Sequence, residues 1–114
     1  MSDFDTLVRL LRRWTHDHDL HVRAAVELLI EHETWIRRAD FARACIERNA
    51  REACISWRKA REFADAGPRA STSEMAVLDL AVALGENRYK FSIMGPANSA
   101  MIAQAVARAL GEDR

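Results

Sequence analysis

The sequence predicts a mostly α-helical domain, a compact bundle of about five to six short helices with a two-stranded β ribbon. Two observations lead to this fold class. Apolar residues recur at helical spacing through most of the chain, and Ser, Thr or Asp precedes several of these runs as an N-cap would. With 114 residues, 49% of them apolar, one core can form without disulfides. We therefore expect a single domain over residues 1–114.

The first two helices are predicted over about residues 3–14 and from an acidic turn to about His32. Ser2, followed three residues later by Asp5, is a variant of the capping box, and the apolar residues after it fall on one helical stripe. Asp17 and Asp19 are candidate caps for the second helix. Each helix would then bury one face.

The middle of the chain predicts two further helices with a short extended segment between them. The third helix contains Phe41 and ends around Arg48–Asn49, after which Ala53–Ile55 is β-prone. Ser56 is the expected cap of the fourth helix, and Gly67–Pro68 ends it.

The C-terminal third predicts two more helices and a strand. Ser71–Glu74 is a capping box, and the following residues to Leu84 are apolar nearly all round, which indicates a buried central helix. Apolar and polar residues alternate over 89–93, which predicts a strand pairing with residues 53–56. The last helix, 96–110, is Ala-rich with few polar residues. It is predicted to be either buried or an interface for a second copy.

Charge is unevenly distributed along the chain. The 17 Lys and Arg balance 17 Asp and Glu, but residues 1–36, 37–61 and 62–114 carry net charges of −3, +5 and −2. The basic middle segment is the candidate anion- or partner-binding site: Arg37, Arg38, Arg43, Arg48, Arg51, Arg58, Lys59 and Arg61. The alternative is a solvated face whose cations pair with the acidic segments of the same chain.

No residue pattern predicts catalysis or a cofactor. Gly occurs only four times and never in a phosphate-binding loop, and no nucleophile motif surrounds any Ser or Cys. Cys45 and Cys54 are expected to be reduced thiols, too few for a zinc site. His16, His18 and His21 form an outside candidate for a metal site, although an inter-helix turn with its histidines in water explains them as well.

Three stretches carry a resemblance to known sequences: Thr34–Phe41, Ala70–Gly85 and Asn87–Tyr89. Over about residue 28 onward, the chain resembles small uncharacterised proteins of actinobacteria and their phages. The resemblance implies a bacterial or bacteriophage origin, and no activity is attached to it.

The function predicted from the sequence is non-enzymatic binding to a protein partner or to a second copy. Trp35 and Trp57 are interleaved with Arg residues, which is a composition enriched in interface hot spots, although both also fall on apolar stripes and would suit a core. Nucleic-acid binding through residues 37–61 is the alternative, and metal-dependent activity at His16–His21 is a third hypothesis. The acidic start of the chain and the lack of a long apolar run predict a cytoplasmic protein with no membrane partner.

Overall fold

Seven α-helices, a β-hairpin and a 3-10 turn form residues 2–112, the part of the chain described by this structure, a computed structural model. The predicted fold class is confirmed. The elements are α1 Asp3–Thr15, α2 Leu20–His32, α3 Thr34–Arg37, α4 Ala39–Cys45, β1 Ile46–Arg48, β2 Ala53–Ile55, α5 Trp57–Asp65, α6 Thr72–Gly85, the 3-10 turn Phe91–Ile93 and α7 Gly95–Ala109.

Serine side chains cap three of these helices, as their positions in the sequence predict. The Ser2 hydroxyl accepts a hydrogen bond from the amide of Asp5 at 3.1 Å, and the Ser56 hydroxyl accepts one at the start of α5. Ser71 and Glu74 form a complete capping box at the start of α6. Each cap satisfies an amide that has no partner within its own helix.

The partner predicted for the ribbon is wrong. Ala53–Ile55 pairs antiparallel with Ile46–Arg48, and residues 91–93 form the exposed 3-10 turn. Helix α4, which contains Phe41 of the predicted third helix, therefore ends at Cys45, before the expected Arg48–Asn49. The physical reason is Asn49, whose side chain accepts from the amides of Arg51 and Glu52 and closes a short hairpin loop. This local pairing costs less chain entropy than pairing with residues 89–93.

Three aromatic rings form the centre of the core. Trp35 and Phe41 are both fully buried, and their ring centroids lie 5.9 and 5.5 Å from that of Phe63 in edge-to-face arrangements. The indole nitrogen of Trp35 donates to the backbone carbonyl of Glu74 at 2.9 Å. The ring thereby joins α3 to the start of α6 and satisfies its own polar atom.

The two C-terminal helices differ in their packing. Helix α6 lies along α2 and buries Leu78, Ala81, Val82 and Ala83, while Ala76, Asp79 and Leu80 of the same helix face solvent. The prediction of a buried central helix thus holds for one side of α6. Helix α7 buries none of its residues. Among the described residues, no helix is long and apolar enough to span a membrane.

Candidate interaction surface

Helix α7 exposes large apolar side chains to solvent. Ile93, just before the helix, is 77% exposed, Met101 64%, Val106 52% and Leu110 71%. The radius of gyration, 14.8 Å, exceeds the roughly 13 Å expected of a compact chain of this length. The sequence leaves two options for this helix, core or interface, and the structure removes it from the core.

One side of α7 carries a continuous stripe of residues at helical spacing. Ser99, Ile102, Val106 and Leu110 are separated by three, four and four positions, so they follow one line along the helix. We call these four residues the α7 stripe. The Ser99 hydroxyl donates to the carbonyl of Gly95 at 2.8 Å. That bond satisfies its donor locally, which makes the stripe less polar than its sequence suggests.

A groove of about 710 Å³ lies between α7 and the body of the domain. Its lining, which we call the α2–α7 groove, consists of Asp19, Leu20, His21, Ala24, Leu84, Phe91, Ser92 and Ser99. Leu20 is 77% exposed and Phe91 38% exposed, so the groove is open to solvent. Because Ser99 lines it, the α7 stripe starts in its wall.

Left-handed backbone positions set the direction in which α7 leaves the body. Asn87 and Lys90 have φ angles of +56° and +53°, and Gly95 has +76°. Gly adopts this region without steric cost, whereas the Cβ of Lys90 makes the same conformation unfavourable. Asn87 N–H donates to Leu84, and Lys90 N–H donates to Asn87, so the bends are held by backbone hydrogen bonds.

The basic middle segment is largely neutralised by the chain's own carboxylates. Six of its eight cations form ion pairs at 2.7–3.2 Å: Arg37 with Glu33, Arg38 with Asp40, Arg48 with Asp3, Arg58 with Glu62, Lys59 with Glu47, and Arg61 with Glu86. Four of these acids come from the flanking acidic segments. The distribution therefore supports the salt-bridged alternative considered from the sequence.

Arg38 and Arg61 are the most enclosed of these cations. Arg38 donates two hydrogen bonds to Asp40, stacks over the ring of Trp35 and donates to the Arg69 carbonyl. Its guanidinium lowers the pKa of the Asp40 carboxyl. Arg61 joins α5 to the end of α6 through Glu86. Both side chains connect elements of the fold.

Arg43 and Arg51 are the two members of the segment for which we find no ion pair in residues 2–112. Arg43 lies on the exposed side of α4, and Arg51 lies in the hairpin loop. The eight cations are thus spread over α3, α4, α5 and the hairpin, and most of them are engaged with nearby acids.

The three histidines of the inter-helix turn point to different neighbours. The His18 ring lies 5.0 Å from that of Trp14, and His21 Nδ1 lies 2.8 Å from the Leu84 carbonyl oxygen. Because a carbonyl only accepts, Nδ1 of His21 carries the proton. His16 lines a separate surface depression beside Arg12. No group of three His, Cys, Asp or Glu side chains in residues 2–112 is placed to hold a metal ion. The metal hypothesis gains no support from this arrangement.

Asp19 occupies the N-cap position of α2 as the sequence predicts, but its side chain makes no capping hydrogen bond. Its carboxylate lies instead 3.7 Å from Nε2 of His21 and is 83% exposed. This leaves an acidic side chain at the rim of the α2–α7 groove.

Neither cysteine has the environment of a nucleophile. Burial raises the pKa of the Cys45 thiol to about 11. Burial, together with the neighbouring Glu47 carboxylate, also raises the pKa of Cys54, which lies opposite Glu47 in the hairpin. Nucleophilic and metal-binding cysteines are thiolates, which a raised pKa disfavours.

The two tryptophans predicted as interface aromatics occupy different sites. Trp35 is fully enclosed in the core and presents no surface to a partner. Trp57 is partly buried, and its ring packs so closely on Gly85 that a Cβ there would overlap it. Its indole nitrogen is buried without a partner among the described residues. The full burial of Trp35 agrees with the alternative that this side chain belongs to the core.

Comparison with known proteins identifies no relative. No family model, curated protein or solved structure matches this chain.

Sequence reasoning missed Leu20 and Phe91 as surface residues. The one sequence signal for Leu20 is its place directly after the cap residue Asp19, outside the inward-facing positions Val22, Val26 and Leu29. Phe91 falls in the predicted strand 89–93, and its alternation with Lys90 and Ser92 does not distinguish a strand from an exposed turn.

Proposed function

We propose that this protein is a non-enzymatic binding protein that acts by docking α7 and the adjoining groove against another protein surface. The observation that carries the proposal is the exposure of Val106 and Leu110 along a helix that has no fully buried residue. Soluble monomers rarely leave contiguous apolar surface in water without a partner for it.

The helix itself needs such a partner. Isolated helices of about 12–15 residues are marginally stable in water, and packing of an apolar face supplies most helix stability in proteins. Helix α7 has 15 residues, and no side chain caps its N-terminus. A bound protein surface would stabilise it by covering the α7 stripe.

Photo-crosslinking in the cells that naturally encode the chain tests this proposal. A photoreactive amino acid is introduced at Val106 in one variant and at Leu110 in a second. We expect light-dependent adducts at both positions, because both side chains lie on the proposed contact face.

The matched control carries the same probe at Arg43, which is exposed on α4 away from the α7 stripe. Adducts at 106 and 110 that are missing at 43 support the proposal. If neither stripe position yields an adduct, α7 meets no protein in the cell and the proposal is overturned.

Nucleic-acid binding through residues 37–61 is the competing function and has less support. Six of the eight cations already neutralise carboxylates of the same chain, and counterion release on DNA requires cations that are available to phosphates. Titration of duplex DNA at low salt distinguishes the two functions, since a steep loss of affinity with added salt would favour the nucleic-acid alternative.

A further inference from the structure

We propose that a cavity between α1 and the β-hairpin binds a small organic anion with an aromatic or other apolar body. The cavity has a volume of about 370 Å³. We call it the Arg13–Arg51 cavity, and its lining consists of Leu10, Arg13, Trp14, Arg51, Glu52, Ala53 and Cys54. This lining shares no residue with α7 or the α2–α7 groove, so the inference is independent of the proposed function.

Helix α1 and the hairpin each supply one side of the cavity. Leu10, Arg13 and Trp14 are three and four positions apart, so they share one face of α1. Residues 51–54 come from the hairpin loop and β2, and β2 packs on α1. The two sides meet where the Arg13 guanidinium lies 3.5 Å from the carbonyl oxygen of Arg51.

The hairpin loop holds its side of the cavity in place. The Asn49 side chain accepts from the amides of Arg51 and Glu52 at 2.8 and 2.9 Å, and the Asn49 amide donates to the Glu52 carbonyl at 2.9 Å. These three bonds fix the backbone from which both charged side chains of the loop extend. A ligand would therefore meet a loop that is ordered before binding, which lowers the entropic cost of association.

The floor of the cavity is apolar and reaches the core. Leu10 and Ala53 line the cavity, yet they are only 2% and 1% exposed. Trp14 is half-buried on the same side as Leu10, and its indole offers a flat surface for an aromatic ligand. The volume lies within the range of small-molecule pockets, roughly 300–1,000 Å³.

Two guanidinium groups without carboxylate partners lie at this apolar floor. Neither Arg13 nor Arg51 forms an ion pair within residues 2–112, whereas six of the eight cations of residues 37–61 do. Glu52 supplies the single carboxylate of the lining, and the raised pKa of Cys54 keeps its thiol uncharged. Two cations against one carboxylate favour an anion, and the planar Arg fork suits carboxylates and phosphates alike.

Isothermal titration calorimetry of the full chain with phenylacetate tests the proposal. We expect saturable binding of one equivalent. Acetate lacks the ring and benzyl alcohol lacks the charge, so each should bind at least about tenfold more weakly. Phenyl phosphate distinguishes the two anionic groups, and a preference for either one over benzyl alcohol supports an anion site.

Three results of these titrations would overturn the proposal. Acetate that binds as well as phenylacetate would show ion association at the surface only. Benzyl alcohol or benzylamine that binds as well would show that the two guanidinium groups select nothing. No binding of phenylacetate or phenyl phosphate at millimolar concentration would show that the cavity takes no such ligand.

Matched charge-removing variants assign the binding to the cavity. Arg13→Gln and Arg51→Gln should each raise the dissociation constant of phenylacetate about tenfold, because each removes a charge-assisted hydrogen bond. The control is Arg43→Gln, which removes the same charge from an exposed position on α4 outside the cavity and should change the constant by less than about twofold. Equal binding by all three variants and the wild type would refute the assignment.

NMR locates the ring of the ligand without any substitution. We expect intermolecular nuclear Overhauser effects from the phenyl protons of phenylacetate to the Trp14 indole and the Leu10 methyl groups, because both side chains line the cavity. Effects confined to side chains outside the lining would place the ligand elsewhere and overturn the proposal. Circular dichroism of the variants confirms that a loss of binding does not come from unfolding.

Discussion

Helices α6 and α7 have similar compositions but opposite environments. Both are rich in Ala, with Leu, Val, Met or Ile and few charges, and each has 14 or 15 residues. Helix α6 packs against α2 and α5 and buries Leu78, Ala81, Val82 and Ala83. Helix α7 has no fully buried residue, and only Ile102 and Ala107 are partly buried.

The difference shows that composition alone does not decide which of the two helices enters the core. Helix α6 follows α5 through a short connection and meets α2, which brings an apolar face of its own. The apolar faces of α2 and α6 cover each other. The apolar side chains of Met101, Val106 and Leu110 at α7 stay exposed to solvent.

The largest expected effect comes from truncating one side chain in each helix. Leu78→Ala should lower the free energy of unfolding by about 2–5 kcal/mol, because Leu78 is fully buried and its removal leaves a cavity. Met101→Ala in α7 should change it by less than about 0.5 kcal/mol. Urea denaturation of dilute protein measures both.

Leu80→Ala provides the control within α6 itself. Leu80 is 45% exposed on the solvent side of the helix, so its truncation should cost well under the loss at Leu78. If Leu78→Ala and Met101→Ala cost the same, the contrast between the two helices would be refuted.

Enlarging a small residue gives the next largest effect. In Gly85→Ala the new Cβ would overlap the ring of Trp57, and we expect a loss of about 1–3 kcal/mol as the ring shifts. Ala105→Leu in α7 adds more volume to an exposed position and should be close to neutral. Thermal unfolding followed by circular dichroism compares them.

Introducing Gly85→Ala into a Trp57→Ala background tests whether overlap with the indole causes the loss of stability. Without the indole, the cost of Gly85→Ala should largely disappear, which is the coupling expected of two groups in direct contact. If Gly85→Ala lowers the stability equally in the Trp57→Ala background, overlap with the indole is not the cause of the loss.

Local signals in the sequence predicted helix boundaries well and long-range pairing poorly. Ser2, Ser56 and Ser71 each cap a helix as predicted, because a cap is a contact between residues three apart. The predicted second strand of the ribbon is wrong because alternation over 89–93 does not specify a pairing partner, whereas the Asn49 side chain closes a local hairpin.

The candidate site was predicted less well than the fold. The eight cations of 37–61 stand out in the sequence, but their partners include Asp3, Glu33 and Glu86, which only the folded chain brings close. The last helix is predicted to be either buried or an interface for a second copy, and the absence of fully buried residues in α7 argues against the first option. Deciding between the two required knowing which faces of α2 and α6 were already occupied, and that is a property of tertiary packing.

The smallest effect concerns the start of α6, where pH distinguishes the two helices. The amide of Ser71 donates to the Glu74 carboxylate at 2.8 Å and lowers the pKa of that carboxyl. Stabilisation from a lowered pKa is fully present above the ordinary glutamate value, about 4.3, and is lost as the pH falls through the lowered one. The capping box should therefore weaken under acid. Residues 95–109 contain no carboxyl side chain, so α7 has no equivalent response.

An NMR titration of the Ser71 amide proton measures this directly. We expect its chemical shift to follow the protonation of Glu74, with a midpoint below the ordinary glutamate pKa of about 4.3. Glu74→Gln is the control, since the amide oxygen still accepts the hydrogen bond but does not titrate, and it should abolish the step. A midpoint at or above the ordinary value would mean that the carboxylate is not held by the cap. Helix α6 would then begin with no more side-chain support than α7, and burial of Leu78 and its neighbours would remain as the difference between them.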